Sequence, residues 1–464
     1  MDKPLVHPYI PNSVPAVKEA MLAEVGAASP DDLYVDIPEE LRFQGELNLP
    51  PPCLSEQELK RHVTAILDRN VSCEEFSSFL GGGCARHYVP AVCDEITRRA
   101  EFLTAYAGEP YEDAGRFQAL FEYESLMAEL LDFDVVNVPT YDWGQAASTS
   151  LRMAGRITGR GKVLVADTVS PDRLSVMANY CRPVMDIVPV KHDPRTGLLD
   201  LDDLAGRLGR DTAALYFENP SYLGFIETRG AEAAELVHRR GALCVVGVDP
   251  ISLGVLQPPS RYGADIACGD IQGLGNPMGF GGCLGGFIAT RDEERFVMEY
   301  PSRLFGIART EVPGEWGFGD VAYDRTSFGV REKGKEFVGT AAALYGISAA
   351  VYLSLMGARG LRDLGRHILQ KARYAAAKLA SLPGVGLKFD SAFFKEFVVD
   401  FAPTGRRVGD LNQALLEAGI FGGKDLTGEF PALGPCALYC VTEMTTQADI
   451  DRLTEALAAA LGRG

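Results

Sequence analysis

The sequence has no excess of positive charge: 45 Lys and Arg are set against 63 Asp and Glu, a formal net charge of −18. That argues against non-specific nucleic-acid binding, which needs a basic surface. No apolar run reaches the length needed to span a bilayer. The opening stretch "MDKPLVHPYIPNSVP" has no signal-peptide core, so a cytoplasmic location is the default expectation. The six His residues show no HExxH or other paired spacing, and no metal site is expected. The ten Cys residues form no C-x-x-C pair; Cys436 and Cys440 are the closest, and reduced thiols packed as small core residues are expected.

What is present is an ordinary globular composition, 47% hydrophobic and 23% charged, over 464 residues, enough for two or three domains. Residues 1–74 read as a helical arm. "NSVPAVKEAMLAEVG" has a polar start at Asn12 or Ser13, Pro15 in its first turn and Gly26 as a stop. "SEQELKRHVTAILDRN" opens with Ser55 as N-cap and Glu58 three residues on. Residues 75–334 alternate apolar strands with amphipathic helices. The candidate strands are 134–139, 162–167, 183–190, 212–217, 242–248, 265–270 and 285–290, a pattern that predicts a mostly parallel sheet covered on both faces. From 335 to 464 a long apolar helix, a second helix, short strands and a terminal helix predict a smaller α+β domain.

Three strand ends carry possible chemistry, since open α/β sheets bind ligands there. "PTYDWGQAAST" (139–149) runs from a strand through Tyr141 and Asp142 into a helix of small residues. Free N–H groups at that helix start could hold a phosphate; the alternative is a plain turn capped by Asp142. Asn219, in "YFENPSYLGFIE", could reach a ring substituent or simply start a turn. Asp249 ends the strand "VVGVD" and could pair with a protonated pyridine nitrogen or cap the next turn. About twenty residues later, "GDIQGLGNPMGFGG" places Gln272 near where pyridoxal-phosphate enzymes of this pattern carry a lysine. No lysine occurs between Lys191 and Lys333, and Lys333 and Lys335 lie in the hydrophilic "REKGKEF". The expectation is therefore a chain with no buried amine able to condense with an aldehyde, and no Schiff-base lysine.

Several long stretches resemble the glycine cleavage system P-protein family, in particular the α subunits (subunit 1) of its split members. They are "HPYIPNS" (7–13), "FLGGGCARHYVPAV" (79–92), "RAEFLTAY" (99–106), "LFEYESLMAELLDFDVVN" (120–137), "NPSYLGFIE" (219–227), the run from Asp249 to Gly282, "AAVYLSLMGARGLRDLG" (349–365) and "FFKEFVVDF" (393–401). The resemblance implies a pyridoxal-phosphate transferase of fold type I: a large, mostly parallel α/β domain, a smaller α+β C-terminal domain and a helical N-terminal arm. It implies a glycine decarboxylase in which this chain lacks the lysine. A β-type partner would hold lysine and cofactor in an α2β2 heterotetramer, and the aminomethyl group would pass to a lipoyl H-protein. Asp249, Asn219, Tyr141, Asp142, Gln272 and His87 then form a vestigial or shared pocket, none of them acting as acid, base or nucleophile.

Four segments depart from the family pattern: "YAGEPYEDAGR" (106–116), "YDWGQ" (141–145) with Trp143 at a glycine position, Ser170-Pro171 in place of His-Pro, and "KGKEFVGT" (333–340). Trp143 would crowd a phosphate site built around glycine. Two further readings follow: a repurposed heteromeric decarboxylase or transferase acting on another amino acid or carrier-bound group, and a metabolite-binding pseudoenzyme.

Overall fold

The computed structural model describes residues 6–7, 9–102, 110–282, 284–301, 303–327, 329–335 and 342–462. The chain divides into two compact units at Val71/Ser72. The first holds the helices Pro15–Glu24 and Glu56–Leu67, joined by extended chain and short 3-10 turns. Pro15 occupies the first helical turn as predicted, but Val14 takes the cap position. Ser13 is drawn away because its hydroxyl donates to the Ile10 carbonyl at 2.7 Å. Ser55 caps the second helix through the Glu58 N–H.

In the second unit all seven predicted strands join one sheet. Its order is Val135–Val136, Gly286–Thr290, Ile266–Asp270, Leu243–Gly247, Thr212–Glu218, Lys162–Ala166 and Asp186–Val190. The last five are mutually parallel; Gly286–Thr290 runs antiparallel to Ile266–Asp270, and Val135–Val136 antiparallel to Gly286–Thr290. Thr212–Glu218 and Leu243–Gly247 are buried along their whole length, which explains their unbroken apolar sequences. The helix Trp143–Thr158 is largely buried, because Ala146, Ala147 and Ala154 let it pack closely.

A second sheet, antiparallel, is ordered Gly386–Leu387, Glu396–Asp400, Cys436–Cys440 and Lys424–Asp425. It shares a core with the helices Val408–Glu417 and Gln447–Gly462 and the C-terminal half of Ala343–Ala380. The last of these joins the two helices predicted from sequence, with a break at Gly357 (φ 57°, ψ 179°). An unpredicted hairpin pairs Phe305–Arg309 with Trp316–Asp320. Of the nine described cysteines, all free, six are buried and Cys53 is exposed. Among the described residues no helix is long and apolar enough to cross a membrane, and no group of three or more His, Cys, Asp and Glu could hold a metal.

Candidate active site

The C-terminal ends of three neighbouring parallel strands converge on one recess. Thr212–Glu218 delivers Pro220, Ser221 and Tyr222; Leu243–Gly247 delivers Asp249; Ile266–Asp270 delivers Asp270 and Gln272. The second sheet reaches in with Phe394, Lys395 and Glu396 at the start of its strand Glu396–Asp400. That approach is possible because Gly224 has no side chain. It adopts φ +91°, and a Cβ there would lie 2.1 Å from the Glu396 carbonyl oxygen.

The centre of the recess is an ion pair. Lys395 Nζ lies 2.8 Å from Asp249 Oδ2, and each side chain is only 15% exposed. A buried amine that the sequence reading did not foresee is therefore present, supplied by "FFKEF" from the other sheet and paired with a carboxylate. Its pairing with Asp249 opposes a nucleophilic role. Burial alone would lower its pKa, but Asp249 and the neighbouring carboxylate Glu396 outweigh burial and hold the ammonium protonated well above the usual lysine range. Burial likewise opposes ionisation of Asp249, yet Lys395 and His87 keep its carboxyl below the usual range.

His87 extends this pair into a chain. Its Nδ1 sits 2.9 Å from Glu443 Oε2 and its Nε2 3.5 Å from Lys395 Nζ. Glu443 in turn is fixed by the Tyr88 backbone N–H at 2.7 Å.

A second cluster stands beside the first. Arg173, in the first turn of the helix that follows Ser170-Pro171, makes two bonds to Glu218, 2.6 and 2.8 Å long. Its guanidinium carbon lies 4.3 Å from the centre of the Trp143 ring. The Trp143 indole N–H donates to Tyr216 Oη at 3.0 Å, and Tyr216 donates onward to Glu218 at 3.1 Å. Trp143 packs on Gly247, where an added Cβ would lie 2.8 Å from the indole nitrogen.

The sequence-chosen residues do not all meet. Asp249 and Gln272 line the recess. His87 is buried and reaches it through Lys395. Asp142 caps the helix Trp143–Thr158, accepting the Gln145 N–H at 2.7 Å. Tyr141 is half-exposed, with its backbone N–H on Gln145 Oε1. Asn219 faces away: its amide clamps the backbone of Glu227 from both sides, at 3.0 and 3.1 Å, closing the turn. Sequence reasoning missed Lys395, Glu396, Arg173, Ser221 and Asp270. The one available signal was a Lys-Glu pair between phenylalanines in "FFKEF", a place where charges need a reason to be buried. Of the divergent segments, residues 106–109 and 336–340 lie outside the described residues.

With this geometry in place, comparison with known proteins assigns the family. The family model "Glycine cleavage system P-protein" matches residues 7–457. The chain belongs to the glycine cleavage system P-protein family. It is 39% identical over 470 residues to a probable glycine dehydrogenase (decarboxylating) subunit 1 of Staphylothermus marinus, covering 97% of this chain and 98% of that one. It is also 39% identical over 468 residues to the protein of the same name from Aeropyrum pernix, covering 98% and 99%. The name subunit 1 implies a second subunit in those enzymes. A crystal structure of glycine decarboxylase (P-protein) of the glycine cleavage system, in inhibitor-bound form, superposes with a TM-score of 0.84 at 34% identity, covering 99% of this chain and 100% of that one. A sphingosine-1-phosphate lyase from Burkholderia pseudomallei, TM-score 0.66 at 14% identity over 90% of this chain and 93% of that one, shares the fold alone. The architecture is thus fold type I of the pyridoxal-phosphate enzymes, as predicted.

The residues present do not fit that cofactor. Asp249, the carboxylate expected from the sequence to meet a pyridine nitrogen, already holds an ammonium. At the helix start expected to hold a phosphate, the Gln145 N–H is taken by the carboxylate of the helix's own cap, Asp142. Trp143 and Arg173 stack within the recess. Gln272, near where the sequence reading looked for a lysine, spends its side-chain amide on the Asn276 backbone carbonyl at 3.3 Å.

Proposed function

We propose that this chain is the α-type subunit of a two-subunit glycine decarboxylase, the one without the Schiff-base lysine. In this reading the complex takes glycine and a lipoyl H-protein to aminomethyl-H-protein and CO2. Pyridoxal phosphate and its lysine reside on a β-type partner, in an α2β2 assembly located in the cytoplasm. Family membership and the naming of the relatives support the reaction. The observation that carries the division of labour is the Lys395–Asp249 pair, which satisfies within one chain the carboxylate a cofactor would need. The chain's own contribution is then to complete the fold of its partner, wall the cleft and exclude water from it. The arm (1–74), the large domain (75–334) and the C-terminal domain (335–464) are the units of that contribution.

The test is reconstitution. Co-expression with a β-type subunit gives a coloured complex that exchanges the glycine carboxylate with bicarbonate, whereas the single chain is colourless and borohydride traps no cofactor on it. Trp143, bulky at a position where the family has glycine, favours a second reading: a complex repurposed for another amino acid or carrier-bound group. A complex that is coloured but inert to glycine would select that reading.

A further inference from the structure

A second cleft lies away from the recess and carries charge of one sign. Gly286 pairs with Asp270 and Thr290 with Ile266, so Thr290 marks the end of the sheet opposite the recess. There a cleft of about 270 Å³ lies between residues of the helix Pro110–Leu131, the edge strand Val135–Val136 and the hairpin strand Phe305–Arg309. Phe121, Val136, Leu304 and Phe305 give it apolar walls. Three carboxylates also line it, Glu124, Asp134 and Asp292, and among the described residues no Lys, Arg or His does.

Glu124 is only 6% exposed and half satisfied. Its Oε2 accepts the Phe305 N–H at 3.0 Å, whereas Oε1 has no hydrogen-bond partner among the described residues. Arg325 acts on it across space, but Nη1 of Arg325 donates to the Tyr300 carbonyl at 2.7 Å, and its Nε and Nη2 reach no acceptor among the described residues. Burial raises the Glu124 carboxyl well above the usual range and Asp320 adds to it; the Phe305 N–H and Arg325 do not offset it. A buried carboxyl oxygen with no partner is rare in a folded protein and marks a place for a ligand group. The other two carboxylates face solvent: Asp292 is exposed, and Asp134, 48% exposed, has Arg291 at 3.5 Å. The set does not select a metal ion, since among the described residues no group of three or more His, Cys, Asp and Glu could hold one. An ammonium on a hydrocarbon chain matches both the charge and the walls.

We propose that this cleft binds a linear aliphatic amine, its ammonium on Glu124 and its chain along Phe121, Val136, Leu304 and Phe305. Asp134 and Asp292 draw the cation in from solvent. The site lies at the far end of the sheet from the recess and does not rest on the assignment of the subunit to a decarboxylase.

Calorimetric titration of the full-length chain with n-pentylammonium tests it. One saturable site is expected. n-Pentanol and methylammonium, which keep only the chain or only the charge, compete at least about tenfold more weakly. Glu124→Gln keeps an acceptor for the Phe305 N–H while removing the charge, and weakens binding at least about tenfold. Asp292→Asn, on the exposed side, weakens it by about threefold at low salt and less at high salt, with no change in melting temperature. If Glu124→Gln does not fold, the probe series and Asp292→Asn decide the matter. Absence of saturable binding at millimolar n-pentylammonium overturns the proposal, as does pentanol competing equally well. Methylammonium competing equally well would reduce the effect to the general attraction of an acidic protein for cations, and also overturns it. So does binding that survives Glu124→Gln but is lost in Asp270→Asn, which would place the amine in the recess instead.

Discussion

Lys395 Nζ and Asp249 Oδ2 stand 2.8 Å apart although they come from different sheets, one antiparallel and one mostly parallel. A contact of this kind ties the two sheets through a buried charge pair. Removing either partner leaves the other as an uncompensated buried ion, at a cost of about 3–5 kcal/mol, whereas removing both together costs much less. Lys395→Met and Asp249→Asn are each expected to lower the urea midpoint strongly, and the double variant to recover most of the loss. A double-mutant cycle with a coupling near zero would show that the pair does not stabilise the joint.

The same pair explains what the sequence could and could not disclose. The strands were legible because Thr212–Glu218 and Leu243–Gly247 are buried on both faces and so are apolar without interruption. Asp249 and Gln272 were legible as residues of the recess because strand ends in this topology line such spaces. Lys395 was not, since nothing local in "FFKEF" says that its strand begins at the edge of the other sheet's recess. That follows only from the close approach at Gly224, a tertiary fact. Asn219 misled for the opposite reason: its amide is consumed by local turn geometry, which a strand-end argument does not weigh.

The second prediction concerns pH. Asp270 is pushed up to about 6, chiefly by burial and further by Asp249, with the Gln272 N–H, Lys395 and Arg173 opposing; the Cys84 thiol also lies within its field. Its folded pKa is above its unfolded value, so between about pH 4 and 6 the native state binds the proton more tightly. Stability from this group is greatest at the acid end of that window and declines as pH rises to about 6, by roughly 2 kcal/mol. Asp249, held low, works in the opposite sense, and only at more acid pH. Melting curves collected across this window should therefore flatten in Asp270→Asn. An unchanged slope in that variant would mean that Asp270 is not the group responsible.

The third prediction reverses the exclusion of the cofactor. If Lys395 and Trp143 keep pyridoxal phosphate out by occupying its carboxylate partner and its space, then Lys395→Gln with Trp143→Gly frees both. Asp249 keeps a polar neighbour in this variant, which limits the destabilisation that a methionine would bring. The wild-type chain is expected to lose added pyridoxal phosphate on gel filtration, and the double variant to retain it without a covalent link. Adding Gln272→Lys then supplies an amine at the end of Ile266–Asp270, and borohydride should fix the cofactor to that residue, located by peptide mapping. Retention by the wild-type chain, or trapping on Lys395 itself, would mean that the buried ammonium yields its proton and its partner more readily than a charge pair with 15% exposure allows.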